Sequence, residues 1–328
     1  MQQRSIGPFT VSALGLGCMN LSHAYDVPPT FESARNLLLR ALDLGVTHFD
    51  TAALYGFGAN EELVGAVLSP HRARFTLASK GGLHGDDGKR VIDGRPASIK
   101  ANCERSLKRL RTDVIDLYYL HRWDKQVPVE ESMGAMADLV REGKVRAIGL
   151  SEVSAQTLRR AYAVHPVAAV QSEYSLWSRN VEIAVLGACR ELGASFVAFS
   201  PLARAWLAGT MHGVDHLVAK DLRRGMPRFQ TDNFNANLPL LIEYLGIARE
   251  LGCTPAQLAL AWLLAQGPHV IPIPGTRSVE HLEENLAAGR IQLSTAALAR
   301  LNVLFGPGRI AGHRYPPSTQ LEVDTEDF

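Results

Sequence analysis

Four side chains of the kinds that move protons stand at, or just after, the ends of short apolar or β-branched runs. Asp50 closes His48-Phe49-Asp50, Lys80 closes Ala78-Ser79-Lys80, and His121 closes Tyr118-Tyr119-Leu120-His121; Tyr55 follows Asp50 in Ala53-Leu54-Tyr55-Gly56. Together they suit the protonation of an alkoxide. Hydride addition to a carbonyl leaves charge on oxygen, which needs a donor in place as that charge develops. A phenol can donate, but its reference pKa near ~10 is high for transfer at neutral pH, and an adjacent ammonium would favour phenolate. Lys80 is therefore expected to lower the pKa of Tyr55. A lysine inside a fold is costly to desolvate alone, so Asp50 would supply the opposite charge. His121 would donate a hydrogen bond to the carbonyl oxygen and orient it. Taken singly, each residue has a plainer reading: a cap, a surface charge, a loop aromatic, a satisfied histidine. Their shared placement at successive run ends favours the chemical one.

That placement requires elements that bring the run ends together. Short runs alternate with longer segments of helical period, the signature of a parallel sheet wrapped by helices. The strands are expected at Ala13–Gly17, His48–Asp50, Thr76–Ser79, Ile115–Leu120, Val145–Leu150, Ala168–Gln171, Ser195–Phe199 and Val270–Ile273. Helices are expected at Phe31–Leu44, Glu61–Leu68, Ala97–Leu110, Val129–Arg141, Ala155–Val164, Val181–Leu192, Leu240–Leu251 and Pro255–Ala265. Glycines 45, 143 and 193 stand where a helix hands over to a strand. Eight such units without a linker favour a closed (β/α)8 TIM barrel, one domain over residues 1–328, against an open doubly wound sheet. The segment Arg4–Val11, centred on Gly7-Pro8, reads as an N-terminal β-hairpin that plugs the barrel floor. Ala203–Asn237, the long loop after strand 7, is too long to be an ordinary connection and reads as a lid or a disordered insert. The tail beyond Leu304 is expected to fold back over the barrel.

In such a barrel, strand-end residues face the active-site mouth. Ser151, Gln171, Ser200 and Pro274 end the fifth to eighth strands and join the four above.

The sequence resembles the aldo-keto reductase superfamily from Ser5 to about Asn302. The resemblance is carried by Phe49-Asp50-Thr51-Ala52 with Tyr55-Gly56, by Asp116-Leu117-Tyr118-Tyr119-Leu120-His121, and by the segment Gly143–Ser151. Gln171-Ser172-Glu173-Tyr174 and Ile273-Pro274-Gly275-Thr276-Arg277 leading to Glu284-Asn285 complete it. By length and by its Gly-Leu-Ser-Glu and Ser-Leu-Trp-Ser stretches it is similar to the long-chain microbial and plant branch. The resemblance implies NADP(H) as cofactor, reduction of a small-molecule carbonyl substrate, and the same four roles for Asp50, Tyr55, Lys80 and His121.

No G-x-G-x-x-G fingerprint occurs, so a Rossmann pyrophosphate loop is not the binding device. The cofactor is expected to lie extended across the mouth. Ser151 and Gln171 suit the nicotinamide carboxamide, and Phe199 suits its face. Ser200, Leu202, Arg204 and Arg228 are expected along the dinucleotide, with Arg228 at the pyrophosphate. Gly275 and Thr276 open a helix whose free N–H groups bind phosphate. Arg277 is expected on the 2′-phosphate, with His281 nearby, and the resemblance places Glu284 and Asn285 on adenine. Glu152 departs from the family's usual asparagine after the fifth-strand serine. Met19, Leu54, Arg122 and Trp123 are expected to line the substrate pocket, Trp123 packing on the substrate.

Composition narrows the partners. Lys+Arg 34 against Asp+Glu 33 gives a net charge of +1, and no overall field favours nucleic acid or an anionic membrane. Four scattered cysteines suggest neither a disulfide framework nor a zinc knuckle, the first residues lack a signal-peptide pattern, and no apolar run reaches a membrane span. A cytoplasmic protein is expected. His212 and His216 are two ligands in a loop, too few for a metal site, so no metal is expected. Arg223, Arg224 and Arg228 are either solvated charge or a phosphate clamp. Two other activities stay open: an aldolase-like barrel with a Schiff base on Lys80, and a cofactor-sensing subunit of the same fold, like the potassium-channel β subunits, without turnover.

Overall fold

The computed structural model describes residues 2–22, 24–25, 27–86, 88–211 and 213–328. It begins with an antiparallel hairpin, β1 (Gln3–Ile6) and β2 (Phe9–Ser12). The barrel strands β3 (Leu16–Gly17), β4 (His48–Asp50) and β5 (Thr76–Gly81) follow, then a second hairpin, β6 (Leu83–Asp86) and β7 (Lys89–Ile92). The remaining barrel strands are β8 (Ile115–Leu120), β9 (Val145–Ser151), β10 (Ala169–Glu173), β11 (Ser195–Phe199) and β12 (Val270–Pro272). All eight pair in parallel in the order β3-β4-β5-β8-β9-β10-β11-β12.

The ends of this sheet meet. Gly15 N donates to Pro272 O at 3.0 Å and Gly17 N to Pro274 O at 3.3 Å, which joins the first strand to the last. The approach requires glycine: a Cβ on Gly17 would lie 2.9 Å from Ile273 O, and one on Gly275 would lie 2.9 Å from Gly17 O.

Helices α1 (Phe31–Asp43), α2 (Ala59–Leu68), α3 (Pro96–Leu110), α4 (Val129–Arg141), α5 (Ala155–Val164), α6 (Val185–Leu192), α7 (Thr231–Glu250) and α8 (Pro255–Leu264) wrap the sheet. Each has an apolar stripe for that purpose. On α1 the buried residues are Ala34, Leu37, Leu38, Ala41 and Leu42, the i, i+3, i+4, i+7, i+8 spacing of one helix face. Its start is fixed by Thr30, whose hydroxyl accepts from Ser33 N at 3.2 Å. Thr254 and Gln257 form a reciprocal capping box on α8, with Pro255 in the first turn. Beyond β12 come α9 (Val279–Ala287), α10 (Thr295–Leu304) and α11 (Pro317–Gln320).

Two apolar layers result. Leu77, Phe49, Ile148, Val170 and Phe196 face outward to the helices. Ala78, Leu117, Tyr119, Ala147, Ala169, Val197 and Ile271 face inward, together with Ile6 and Val11 of the hairpin, which closes the barrel floor. Strand side chains alternate, so the inward set predicts which strand-end residues share the interior. Two residues past Ala78 is Lys80; two past Tyr119 is His121; two past Gly149 is Ser151; two past Ala169 is Gln171; two past Val197 is Phe199. Asp50 lies beside the outward Phe49. The polar residues of the mouth are therefore the continuation of the apolar interior.

The described residues of Ala203–Asn237 form local structure. They contain short 3-10 turns at Trp206–Ala208, Leu222–Gly225 and Pro227–Phe229 and the first turns of α7, which starts at Thr231 and runs through Pro239. Trp206 stacks on Trp177 with centroids 4.6 Å apart, and Phe229 and Phe234 are buried. The helix expected from Val181 is divided into a 3-10 turn, Asn180–Glu182, and α6. The tail folds back as expected: Lys125 Nζ donates to Leu321 O at 2.9 Å and Val323 O at 2.8 Å, and Arg314 pairs with Glu152. Among the described residues no helix is long and apolar enough to cross a membrane.

Candidate active site

A cavity of about 770 Å³ opens at the carboxyl ends of the strands, where barrels of this kind carry their chemistry. At its base lies a chain of hydrogen-bonded polar groups. Gln171 Nε2 donates to Asp50 Oδ2 at 2.8 Å, and the Lys80 ammonium pairs with Asp50 Oδ1. Lys80 Nζ also donates to Thr51 O at 2.9 Å and to Tyr55 Oη at 3.1 Å. All three ammonium protons thus have acceptors, which is what allows a lysine with 0% exposure to stay charged. Burial alone would lower its pKa, but Asp50 and Tyr55 hold it above the ordinary lysine value.

Tyr55 reaches this ammonium from a 3-10 turn, Tyr55–Gly58, where Gly56 (φ 56°) and Phe57 (φ 52°) are left-handed. The turn is held from below. Thr51 Oγ1 donates to Asn60 Oδ1 at 2.6 Å, and Asn60 Nδ2 donates to Cys18 O at 2.8 Å and Ser22 Oγ at 2.9 Å. Burial pushes the Tyr55 phenol up from its ordinary value; Lys80 pulls it down, as expected, but only partly offsets the burial, so the net shift is upward. Tyr55 is therefore kept protonated at neutral pH.

His121 stands across from Tyr55, ring centroids 5.8 Å apart and edge-on at 85°. Burial, then Arg122, Lys80 and Arg90, hold its imidazole well below the ordinary histidine value, so the ring is neutral at pH 7. Its Nδ1 is buried without a hydrogen-bond partner. Arg122 Nη1 donates to His121 O at 2.6 Å and lies 3.5 Å from Ser151 Oγ.

The cavity continues from this base past Phe199, Ser200 and Leu202 to Gly275, Thr276 and Arg277, and on to His281, Glu284 and Asn285 of α9. Ser278 caps α9, accepting from His281 N at 3.3 Å. Arg277 Nη1 donates to Val27 O at 2.6 Å. Ser200 and the run Ala203–Ala205 all have φ between 49° and 75°. Non-glycine residues enter that region at a cost of about 1–3 kcal/mol each, so packing must hold this turn in shape. Arg204 does part of that, donating to Tyr25 Oη at 3.0 Å, Glu173 Oε2 at 2.8 Å and Tyr315 Oη at 3.3 Å.

The family model named Aldo/keto reductase family matches residues 13–304. The chain belongs to the aldo/keto reductase family. It is 44% identical over 327 residues to aldo-keto reductase yakc, NADP(+), of Schizosaccharomyces pombe, covering 98% of this chain and 96% of that one. It is 43% identical over 311 residues to a probable aldo-keto reductase 1 of Glycine max, covering 94% and 89%. Among solved structures, the glycerol dehydrogenase of Gluconobacter oxydans matches with TM-score 0.85 at 30% identity, over 96% of this chain and 98% of that one. An aldo/keto reductase of Klebsiella pneumoniae, in complex with NADP and acetate, matches with TM-score 0.71 at 32% identity, over 94% and 95%.

Two residues expected at the mouth of this aldo/keto reductase lie elsewhere. Arg228 turns into a separate pocket beneath the tail, where its guanidinium donates to Trp177 O at 2.6 Å, Ser178 Oγ at 2.7 Å and Gly312 O at 3.2 Å and stacks on Trp177. Of Arg223, Arg224 and Arg228, it is Arg223 that lines the main cavity, paired with Asp221 at 2.7 Å. Trp123 points away from the cavity, its Nε1 donating to Val127 O at 2.9 Å and its face covered by Arg160. Met19, Leu54 and Arg122 do line the cavity. Glu152, held at φ 58°, accepts from Glu173 N at 2.9 Å and binds Arg314, so it anchors the tail instead of facing the mouth. Sequence reasoning missed Asn20, Tyr25, Arg90, Tyr315 and Thr319 on the cavity wall, none of which stands at a strand end. Among the described residues no cluster of His, Cys, Asp and Glu could hold a metal; His212 lies outside them.

Proposed function

We propose that this aldo/keto reductase reduces an aldehyde or ketone to the alcohol with NADPH, with Tyr55 as the proton donor. One observation carries the reading: the chain Gln171–Asp50–Lys80–Tyr55 ends in a cavity at a phenol faced by a neutral imidazole. The cavity fits an extended dinucleotide, since its volume is in the upper part of the usual ligand range and it runs from that phenol to a helix start. The NADP of the Schizosaccharomyces and Klebsiella relatives supports the same cofactor. When bound, NADPH supplies the hydride.

The chain's own groups do the rest. Ser151 and Gln171 hold the carboxamide, and Phe199 packs on the ring. Ser200, Leu202 and Arg204 line the path of the dinucleotide, with Arg204 stiffening the wall. Gly275 and Thr276 offer N–H groups to phosphate, Arg277 and His281 stand at the 2′-phosphate, and Glu284 and Asn285 hold the adenine. The substrate oxygen sits between Tyr55 Oη and the His121 ring, where neutral imidazole donates a hydrogen bond and fixes the carbonyl. As charge grows on that oxygen the Tyr55 proton moves to it, and the phenolate left behind is met by the Lys80 ammonium.

A Schiff base on Lys80 needs a neutral amine, and an ammonium bonded to Asp50, Thr51 and Tyr55 counts against it. NADPH oxidation against a panel of aldehydes and ketones tests the proposal. Turnover with members of the panel is expected; NADPH binding without any turnover favours a sensing subunit, and borohydride trapping of a carbonyl compound on Lys80 favours the aldolase-like reading.

A further inference from the structure

Beside His121 lies a buried guanidinium that no carboxylate answers. Arg122 is 7% exposed and lines the cavity, yet its contacts are His121 O at 2.6 Å and Ser151 Oγ at 3.5 Å, and its Nε is buried with no partner. No ion pair to it occurs among the described residues. Its neighbours on the wall are matched: Arg204 by Glu173 at 2.8 Å, Arg223 by Asp221 at 2.7 Å, and Arg90 by Glu322 of the tail. The Lys80 charge is likewise taken up by Asp50. A cation withdrawn from water without a counter-charge is costly, and such groups persist where a ligand completes them. The cofactor's phosphates do not complete this one, because the helix start that suits them is at the other end of the cavity, and Arg122 touches the His121 end.

We propose that Arg122 is the subsite for an anionic group of the substrate, so that this site takes carbonyl compounds bearing a carboxylate. The inference rests on the reductase reading above. One unmatched positive charge is answered by one negative charge, which favours a carboxylate over a dianionic phosphate. The guanidinium is tied to the His121 carbonyl, so a carboxylate seated on it lies beside the group that orients the substrate oxygen.

The experiment compares matched pairs on the full chain with saturating NADPH: meta- and para-carboxybenzaldehyde against the corresponding carboxamides. The unmodified protein should favour the carboxylate in kcat/KM by about tenfold or more, the range of a charge-assisted contact. Arg122→Gln should collapse that ratio towards one, and Arg122→Lys, which keeps the charge, should retain most of it. A ratio at or below one in the unmodified protein, or a ratio unmoved in Arg122→Gln, overturns the subsite; a merely structural arginine would lower both members and leave the ratio alone. If neither member is turned over, the reductase reading is what fails. Calorimetry on the NADP-loaded protein then decides the subsite by itself: benzoate bound more tightly than benzamide, with the difference lost in Arg122→Gln, sustains it, and equal affinities overturn it.

Discussion

Acid should open this barrel from beneath the active site, and His48 sets how much. The imidazole lies on β4 two residues before Asp50, with 0% exposure and neither ring nitrogen hydrogen-bonded. Burial pushes its pKa from 6.5 down to about 4. The folded protein therefore binds this proton less readily than the unfolded chain, and stability present at neutral pH is lost as pH falls through the window between those two values. At ~1.4 kcal/mol per pKa unit the full loss is about 3 kcal/mol, and most of it is reached by pH ~4.5. The assay is urea unfolding of the protein and of His48→Leu at pH 7 and 4.5, followed by far-ultraviolet circular dichroism. The leucine variant has its own stability at pH 7; what matters is the change between the two pH values, which should be smaller in the variant by about 2–3 kcal/mol. Equal changes in both proteins would mean that the acid lability belongs to groups other than His48.

Other predictions follow from the same geometry. Lys80→Met strands the Asp50 carboxylate in the interior and should cost about 3–5 kcal/mol as well as turnover; the double variant with Asp50→Asn should recover part of the stability, as unfolding measurements on the four proteins would reveal. Arg314→Ala leaves Glu152 buried without its counter-charge and should likewise lower stability by about 3–5 kcal/mol, with faster proteolysis of the tail beyond Leu304. Arg277→Ala should weaken NADPH by roughly ten- to a hundredfold and hardly affect NADH, and titration of both cofactors checks this; a parallel loss would remove Arg277 from the 2′-phosphate.

What the sequence made legible has a geometric reason. A strand alternates, so once Ala78, Tyr119 and Ala169 are inside, the positions of Lys80, His121 and Gln171 follow from counting by two. Counting stops working beyond the first residue past the strand. Arg122 and Trp123 follow His121 directly, yet only the arginine faces the cavity, since the turn after β8 and the packing of Arg160 decide where the indole goes. The direction of Arg228 is hidden for the same reason: 3-10 turns separate this residue from β11, and the direction depends on Trp177 and Gly312, contacts remote in sequence. The parts of the wall supplied by β7 and the tail, Arg90, Tyr315 and Thr319, are likewise products of long-range packing. Pro239 hid the start of α7, because a residue without an N–H reads as a boundary, although here the helix runs through it. The downward pull of Lys80 on Tyr55 is legible because a near ammonium is visible as a sequence partner, whereas the depth of burial that outweighs it is not.

In the proposed reaction Tyr55 gives up the proton. The most direct test of this is Tyr55→Phe, which keeps the ring against His121 and Lys80 and removes only the hydroxyl. Turnover of the best aldehyde or ketone in the panel should fall by about 10²–10⁴-fold while the dissociation constant for NADPH stays nearly the same. A variant that kept more than about a tenth of the original kcat would contradict the account, since acid catalysis of this kind cannot be removed at so small a cost.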